Sequence, residues 1–191
     1  SLDINMDEAL SMAAAQLELE PERLEKLKAF IALRLQVQLR EKGFSHEAVA
    51  LSMQTIPERP LQIFRLAEVL TKASGEEWFA GLVTAAVRVK NLLSKVEGEI
   101  GSVDPGKFTS EAEKNLYNEL QKLTREAKSA VECCEWEKLA ATMAELAPVI
   151  AKFFDDVLVM DPDPAVRANR LALLKECRDF FMQIGDFSLL K

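Results

Sequence analysis

Apolar side chains recur every three or four residues through most of the chain, and no stretch alternates apolar and polar positions as a half-buried strand would. The pattern predicts an all-α protein. A first helix is expected from about Met6 to Leu19, and a second starts at Pro21, an acceptable first-turn position. In the second helix Leu24, Leu27, Ile31, Leu35 and Leu39 mark one apolar face, and Gly43 follows as a left-handed terminator. A short third helix follows Ser45 and ends before Pro57, and a fourth runs from Pro60 to near Gly75. The fifth, Glu76 to Lys95, is long. Ser110 and Glu113 have the spacing of a capping box, which starts a helix continuing toward Cys134. The next helix spans Trp136 to Phe154, where Pro148 interrupts one hydrogen bond and is expected to bend it. Asp163 as cap and Pro164 at the first position open the last helix, which ends by Gly185.

Two features divide this helical run. Residues 97–106 hold Gly98, Gly101 and Gly106 with little periodicity, so this connection is expected to be a mobile loop. A weaker composition boundary lies between Thr71 and Gly75, with an acidic helical segment before it and a compact group of four longer helices after it.

Composition narrows the function. A chain of 191 residues with 49% hydrophobic and 29% charged residues can fold and bury an adequate core. No apolar run approaches the roughly 20 residues of a membrane span, and no signal-peptide pattern is present, so the cytosol is the expected compartment and no membrane partner is expected. Cys133, Cys134 and Cys177 cannot all pair, and reduced thiols are expected. His46 is the only histidine and follows Ser45 as a helix-start residue; there is no zinc-type Cys-x-x-Cys and no glycine-rich phosphate loop. These observations argue against catalysis within the chain. A net charge of −7 opposes indiscriminate nucleic-acid binding, but the charge is uneven. Residues 1–29 carry seven carboxylates against three bases, whereas Trp78 to Val96 holds Arg88, Lys90 and Lys95 with no carboxylate.

Placed on a helical wheel, Trp78, Leu82, Ala85, Ala86, Val89, Leu93 and Val96 share one side of the fifth helix, the expected core side. Thr84, Arg88, Asn91 and Lys95, spaced by four, three and four residues, fall opposite them. This donor-rich stripe suits phosphate contacts through Arg88 and Lys95 and a base edge through Asn91. The competing reading is an ordinary solvated face.

The last helix differs. Val166, Leu173, Cys177, Phe180 and Ile184 lie on one side, and Arg170 falls within the same sector. A buried guanidinium needs an acceptor, and Asp155 and Asp156, at the end of the preceding helix, are the expected partners in a structural ion pair. Arg167 and Arg178 lie at the margin of that sector, freer to reach solvent or phosphate. Phe153, Phe154, Phe180 and Phe181 are spaced like core; Phe108, Tyr117 and Phe187 are less committed, and Phe108 beside the glycine-rich loop is a candidate base-stacking platform.

The order Phe153-Phe154-Asp155-Asp156-Val157, Asp163-Pro164-Ala165-Val166-Arg167-Ala168-Asn169-Arg170-Leu171 and Gly185-Asp186-Phe187-Ser188 resembles the C-terminus of the β subunit of bacterial heterotetrameric glycyl-tRNA synthetase, with its DALR-type anticodon-binding domain. The run Arg88-Val89-Lys90-Asn91 also resembles the family's Arg-Val-x-Asn run in the corresponding helix. The likeness is closest from Trp78 onward and thinner over residues 21–70. It implies an all-α architecture in which residues 1–72 form a helical linking segment and residues 73–191 a DALR-type anticodon-binding bundle. Since the family's subunit is far longer and this chain starts at Ser1, a C-terminal fragment is expected. The resemblance further implies that the chain binds glycine tRNA and works with the α subunit of the heterotetramer; the wheels supply Thr84, Arg88, Asn91, Lys95, Arg167 and Arg178 as the candidate tRNA-binding residues. That α subunit holds the site using ATP and Mg, so no cofactor is expected in this chain. A helical protein–protein adaptor that touches no RNA is the alternative.

Overall fold

The computed structural model describes residues 3–190, so Ser1, Leu2 and Lys191, at the outer ends of the two expected segments, lie outside the described residues. Within them the chain is all-helical: α1 (Met6–Gln16), α2 (Pro21–Glu41), α3 (His46–Thr55), α4 (Pro60–Ala73), α5 (Glu77–Leu93), α6 (Glu111–Glu132), α7 (Trp136–Asp156) and α8 (Pro164–Phe181), with short 3-10 turns at Pro105–Lys107 and Phe187–Leu190. The chain separates into two compact units, which divide between Ala73 and Ser74.

In the first unit the helix ends are set locally. Ser45 accepts from the Ala48 amide to cap α3, and Gly43, at φ 90°, closes α2 in a conformation that other residues adopt only with strain. A small core forms where Leu39, Val49, Ile63 and Ala67 meet, with the Phe44 ring set edge-on to Phe64 at 5.1 Å. The apolar face expected on α2 is partly covered: Leu39 is buried and Leu24, Ile31 and Leu35 are half-buried, while Leu27 is 39% exposed. Off that face, Phe30 and Leu33 are 66% and 60% exposed. Periodicity reports where apolar residues lie along a helix, whereas burial also needs a second surface to cover them.

The second unit is the bundle α5–α8. Helix α7 packs against α6 and α5, and α8 packs against α5 and α6. Leu116, Leu120, Leu123, Ala127 and Ala130 form the inner seam of α6, and Leu139, Met143, Leu146, Ile150 and Phe153 that of α7. Helix α7 continues without a break through Pro148. Because α5 is covered by two neighbours, its buried side is wide and includes Phe79, Leu82, Val87, Val89 and Leu93. Trp78 is not part of the core as the wheel implied, being 42% exposed. Phe79 takes the inward place, one edge-to-face contact from Phe187, which packs in turn on Phe181.

The glycine-rich connection before α6 is tied to α8. Asn169, which is buried, accepts from the Asp104 amide at 2.8 Å and donates to the Asp104 carbonyl at 3.0 Å, mimicking a backbone partner. Lys175 donates to the Ile100 carbonyl at 3.0 Å. A segment expected to be mobile is thus held at two points.

Candidate nucleic-acid interface

Helix α5 leaves a strip uncovered between its neighbours, and Thr84, Arg88 and Asn91 lie on it with Lys95 just past the helix end, all four exposed. They line one side of a surface hollow of about 660 Å³, whose other walls include Leu92, Phe154 and Met160. Thr84 is drawn back onto its helix by donating to the Ala80 carbonyl at 2.8 Å. Among the described residues Arg88 and Lys95 have no carboxylate partner within ion-pair distance, so the strip keeps its positive charge. Lys90, the remaining base of this stretch, is committed elsewhere: its ammonium donates to Asp186 at 2.5 Å and to Ser188 at 2.7 Å. Burial pushes the Asp186 carboxyl up, but the hydrogen bonds from Lys90 and Ser188 outweigh it, leaving its pKa below the ordinary value.

Arg88 is not extended into solvent. Its guanidinium carbon lies 4.1 Å from the centroid of the Phe154 ring, a cation–π stack joining α5 to α7. Phe154 is half-buried and steadied by the Phe153 ring 5.8 Å away. A second hollow, lined by Trp78, Gly81, Thr84, Pro148 and Ala151 among others, opens on the other side of Arg88. The stripe therefore faces a groove with apolar walls and few polar groups.

Arg170 is buried and paired as its position on the wheel requires, but its partners differ from those expected. Asp155 and Asp156 point to solvent at the end of α7, and Asp156 pairs with Lys152 of its own helix. Arg170 instead donates from Nε to Glu113 at 2.6 Å, from Nη1 to Asp161 at 2.7 Å and to the Leu158 carbonyl at 2.8 Å, and from Nη2 to the Thr109 hydroxyl at 3.0 Å. The acceptor nearer in sequence comes from the loop after the aspartate pair. The second acceptor comes from the start of α6. Glu113 carries a double duty, because its other oxygen closes the capping box by accepting from the Ser110 and Thr109 amides at 2.7 and 2.6 Å. Burial raises the Glu113 pKa, but the bonds from Arg170, Ser110 and Thr109 outweigh it, so it lies below the usual glutamate value.

Arg167 and Arg178 are less free than their margin positions implied. Arg167 donates to the Asp161 carbonyl at 2.8 Å, and Arg178 forms a two-donor pair with Asp179 at 2.6 and 2.9 Å. Arg178 lines a separate hollow with Lys90 and Asp186, not the one beside Arg88. Phe108 packs on Tyr117 with ring centroids 5.5 Å apart, both half-buried, and does not line the α5 groove. Sequence reasoning missed Phe154, assigned to the core, and Asn169; the apolar spacing of the former and the bases flanking the latter hid their contacts. Among the described residues Cys133, Cys134 and Cys177 form no disulfide, and burial raises the pKa of the Cys177 thiol strongly. Among the described residues no helix is long and apolar enough to cross a membrane.

Residues 82–187, more than half of the chain, match the model of the DALR anticodon binding domain. The chain is 36% identical to the glycine–tRNA ligase beta subunit of Hahella chejuensis over 79% of its own length and 22% of that protein. It is 33% identical to the glycine–tRNA ligase beta subunit of Thiobacillus denitrificans over 99% of its length and 27% of the relative, and 32% identical to that of Shewanella denitrificans over 87% and 24%. The chain thus spans about a quarter of the length of the curated relatives it matches.

Proposed function

Because this chain belongs to the DALR anticodon-binding domain family, we propose that it recognises the anticodon of glycine tRNA and presents that tRNA to a separate catalytic subunit of a glycine–tRNA ligase. The observation that carries the reading is the unneutralised strip Arg88, Asn91 and Lys95, set along a groove with apolar walls in a protein whose net charge is −7. An anticodon loop offers unpaired bases that fit such a groove, with phosphates spaced along its rim. Lys95 supplies charge to a phosphate, and the Asn91 amide can donate to and accept from a base edge. Glycine anticodons contain two fixed cytosines, each presenting an amino donor beside ring acceptors, and an amide complements that pattern. Arg167 and Arg178 make peripheral phosphate contacts at most, since acceptors within the chain already engage them. The chain brings recognition, and the activation of glycine with ATP belongs to the partner, in the cytoplasm.

A second reading, a protein–protein adaptor, is favoured by one observation: the first unit exposes Phe30, Leu33 and Leu17, the last 76% accessible. The two readings separate in one experiment. Titrating the chain with glycine tRNA and with a non-cognate tRNA over a range of salt concentrations should give tighter binding of the glycine tRNA and weakening with salt. Absence of tRNA binding at low salt would leave the adaptor reading.

A further inference from the structure

Arg88 could have been expected to serve as a simple phosphate clamp, reaching from the helix into water. Its placement argues for a different use. The guanidinium is held 4.1 Å over the Phe154 ring, while the residue remains exposed and without a carboxylate partner. The cation is thus covered on one side by an aromatic ring, and the residue also lines the hollow bounded by Asn91, Lys95, Leu92 and Met160. Met160 is 55% exposed although it is apolar, so the wall opposite the polar strip presents hydrocarbon to whatever fills the hollow.

These walls suit a flat, uncharged ring better than a tetrahedral anion. A phosphate is served by several convergent N–H donors and loses by facing hydrocarbon, whereas an unpaired nucleobase gains from a planar cation on one face and apolar contact around it. We propose that Arg88 and Phe154 form a stacking platform, in which the guanidinium lies between the Phe154 ring and an unpaired base of the tRNA. The arrangement is built before the ligand arrives, because Phe154 fixes the side chain that would otherwise have to be ordered on binding. The Asn91 amide, one turn along α5 and on the same wall, then meets the edge of the stacked base. This assignment rests on the anticodon-recognition reading and names the residues that grip the base.

Arginine and lysine discriminate between the two uses, since lysine keeps the charge for a phosphate but has no plane to stack. The test compares R88K, R88A and F154L with the parent chain, using glycine tRNA and an anticodon stem-loop with a fluorescent cytosine analogue at a fixed cytosine position. With the stack in place, R88K binds about as weakly as R88A, on the order of tenfold below the parent. F154L weakens binding similarly and leaves the salt dependence unchanged, since no charge is lost, and the stacking-induced quench of the analogue disappears in all three. Should R88K and F154L bind and quench like the parent while K95A weakens binding, the stack is wrong and the recognition reading survives. Failure of the parent chain to bind glycine tRNA overturns both. Phe154 is half-buried, so if F154L loses its fold by circular dichroism, R88K at its exposed position decides alone.

Discussion

Arg170 ties α8 and the loop before it to the distant start of α6, and its removal leaves Glu113, which is 1% exposed, as a buried charge without its cationic partner. Arg170→Ala is therefore expected to cost about 3–5 kcal/mol, the range for breaking one side of a buried pair; denaturant unfolding monitored by circular dichroism measures it. Asp161 is partly open to solvent, so Asp161→Ala should cost distinctly less. The Glu113 pKa is lowered in the folded state, which fixes the direction of the pH effect. A lowered folded-state pKa gives stability that is fully present above the unfolded glutamate value of about 4.3 and lost as pH falls through the folded value. The stability gap between the parent and E113Q should accordingly be widest near pH 7 and shrink as the pH drops below about 4. A gap that stays constant down to pH 3 would mean that the Glu113 charge contributes nothing.

Helix starts were legible because neighbouring residues decide them: Asp163 before Pro164, and Ser110 three residues ahead of Glu113, cap α8 and α6 as their chemistry predicts. What joins the elements was less legible. The wheel put Arg170 inward, but it could not identify Glu113, 57 residues away, as the acceptor. It also put Trp78 on the core side, where Phe79 takes the inward place, and the spacing treated Phe154 as plain core although its ring carries Arg88. The donor strip of α5 was readable since side chains at spacings of three and four must share a face, whereas the groove beside it arises from α7 and the following loop. Asn169 shows the same limit at a loop. Its two hydrogen bonds to Asp104 hold the connection between α5 and α6, so Asn169→Ala should cost about 1–3 kcal/mol by losing both, at about 0.5–1.5 kcal/mol each. Hydrogen exchange should then quicken across residues 97–106 more than in the α6–α7 seam.

At the scale of the whole molecule the question is how a chain of net charge −7 holds a polyanion. Several bases of the second unit are engaged by its own carboxylates: Lys90 by Asp186, Arg170 by Glu113 and Asp161, Arg178 by Asp179. Of the α5 strip only Arg88 and Lys95 are cationic, and each phosphate contact contributes only about 0.7–0.9 to the slope of log affinity against log salt. The expected slope is shallow, a few units at most, with specificity carried by base contacts and not by charge. Two substitutions separate these contributions. Lys95→Ala should weaken binding to all tRNAs alike and flatten the slope by about one contact. Asn91→Ala should leave the slope unchanged, cost about 1–3 kcal/mol for glycine tRNA, and narrow its advantage over other tRNAs. Both positions are exposed, so melting temperatures should stay near that of the parent. If both variants keep the parent's affinity, selectivity and salt slope, the α5 strip is an ordinary solvated face, and the contacts to tRNA must be sought around Arg167, Arg178 and the Phe108–Tyr117 pair.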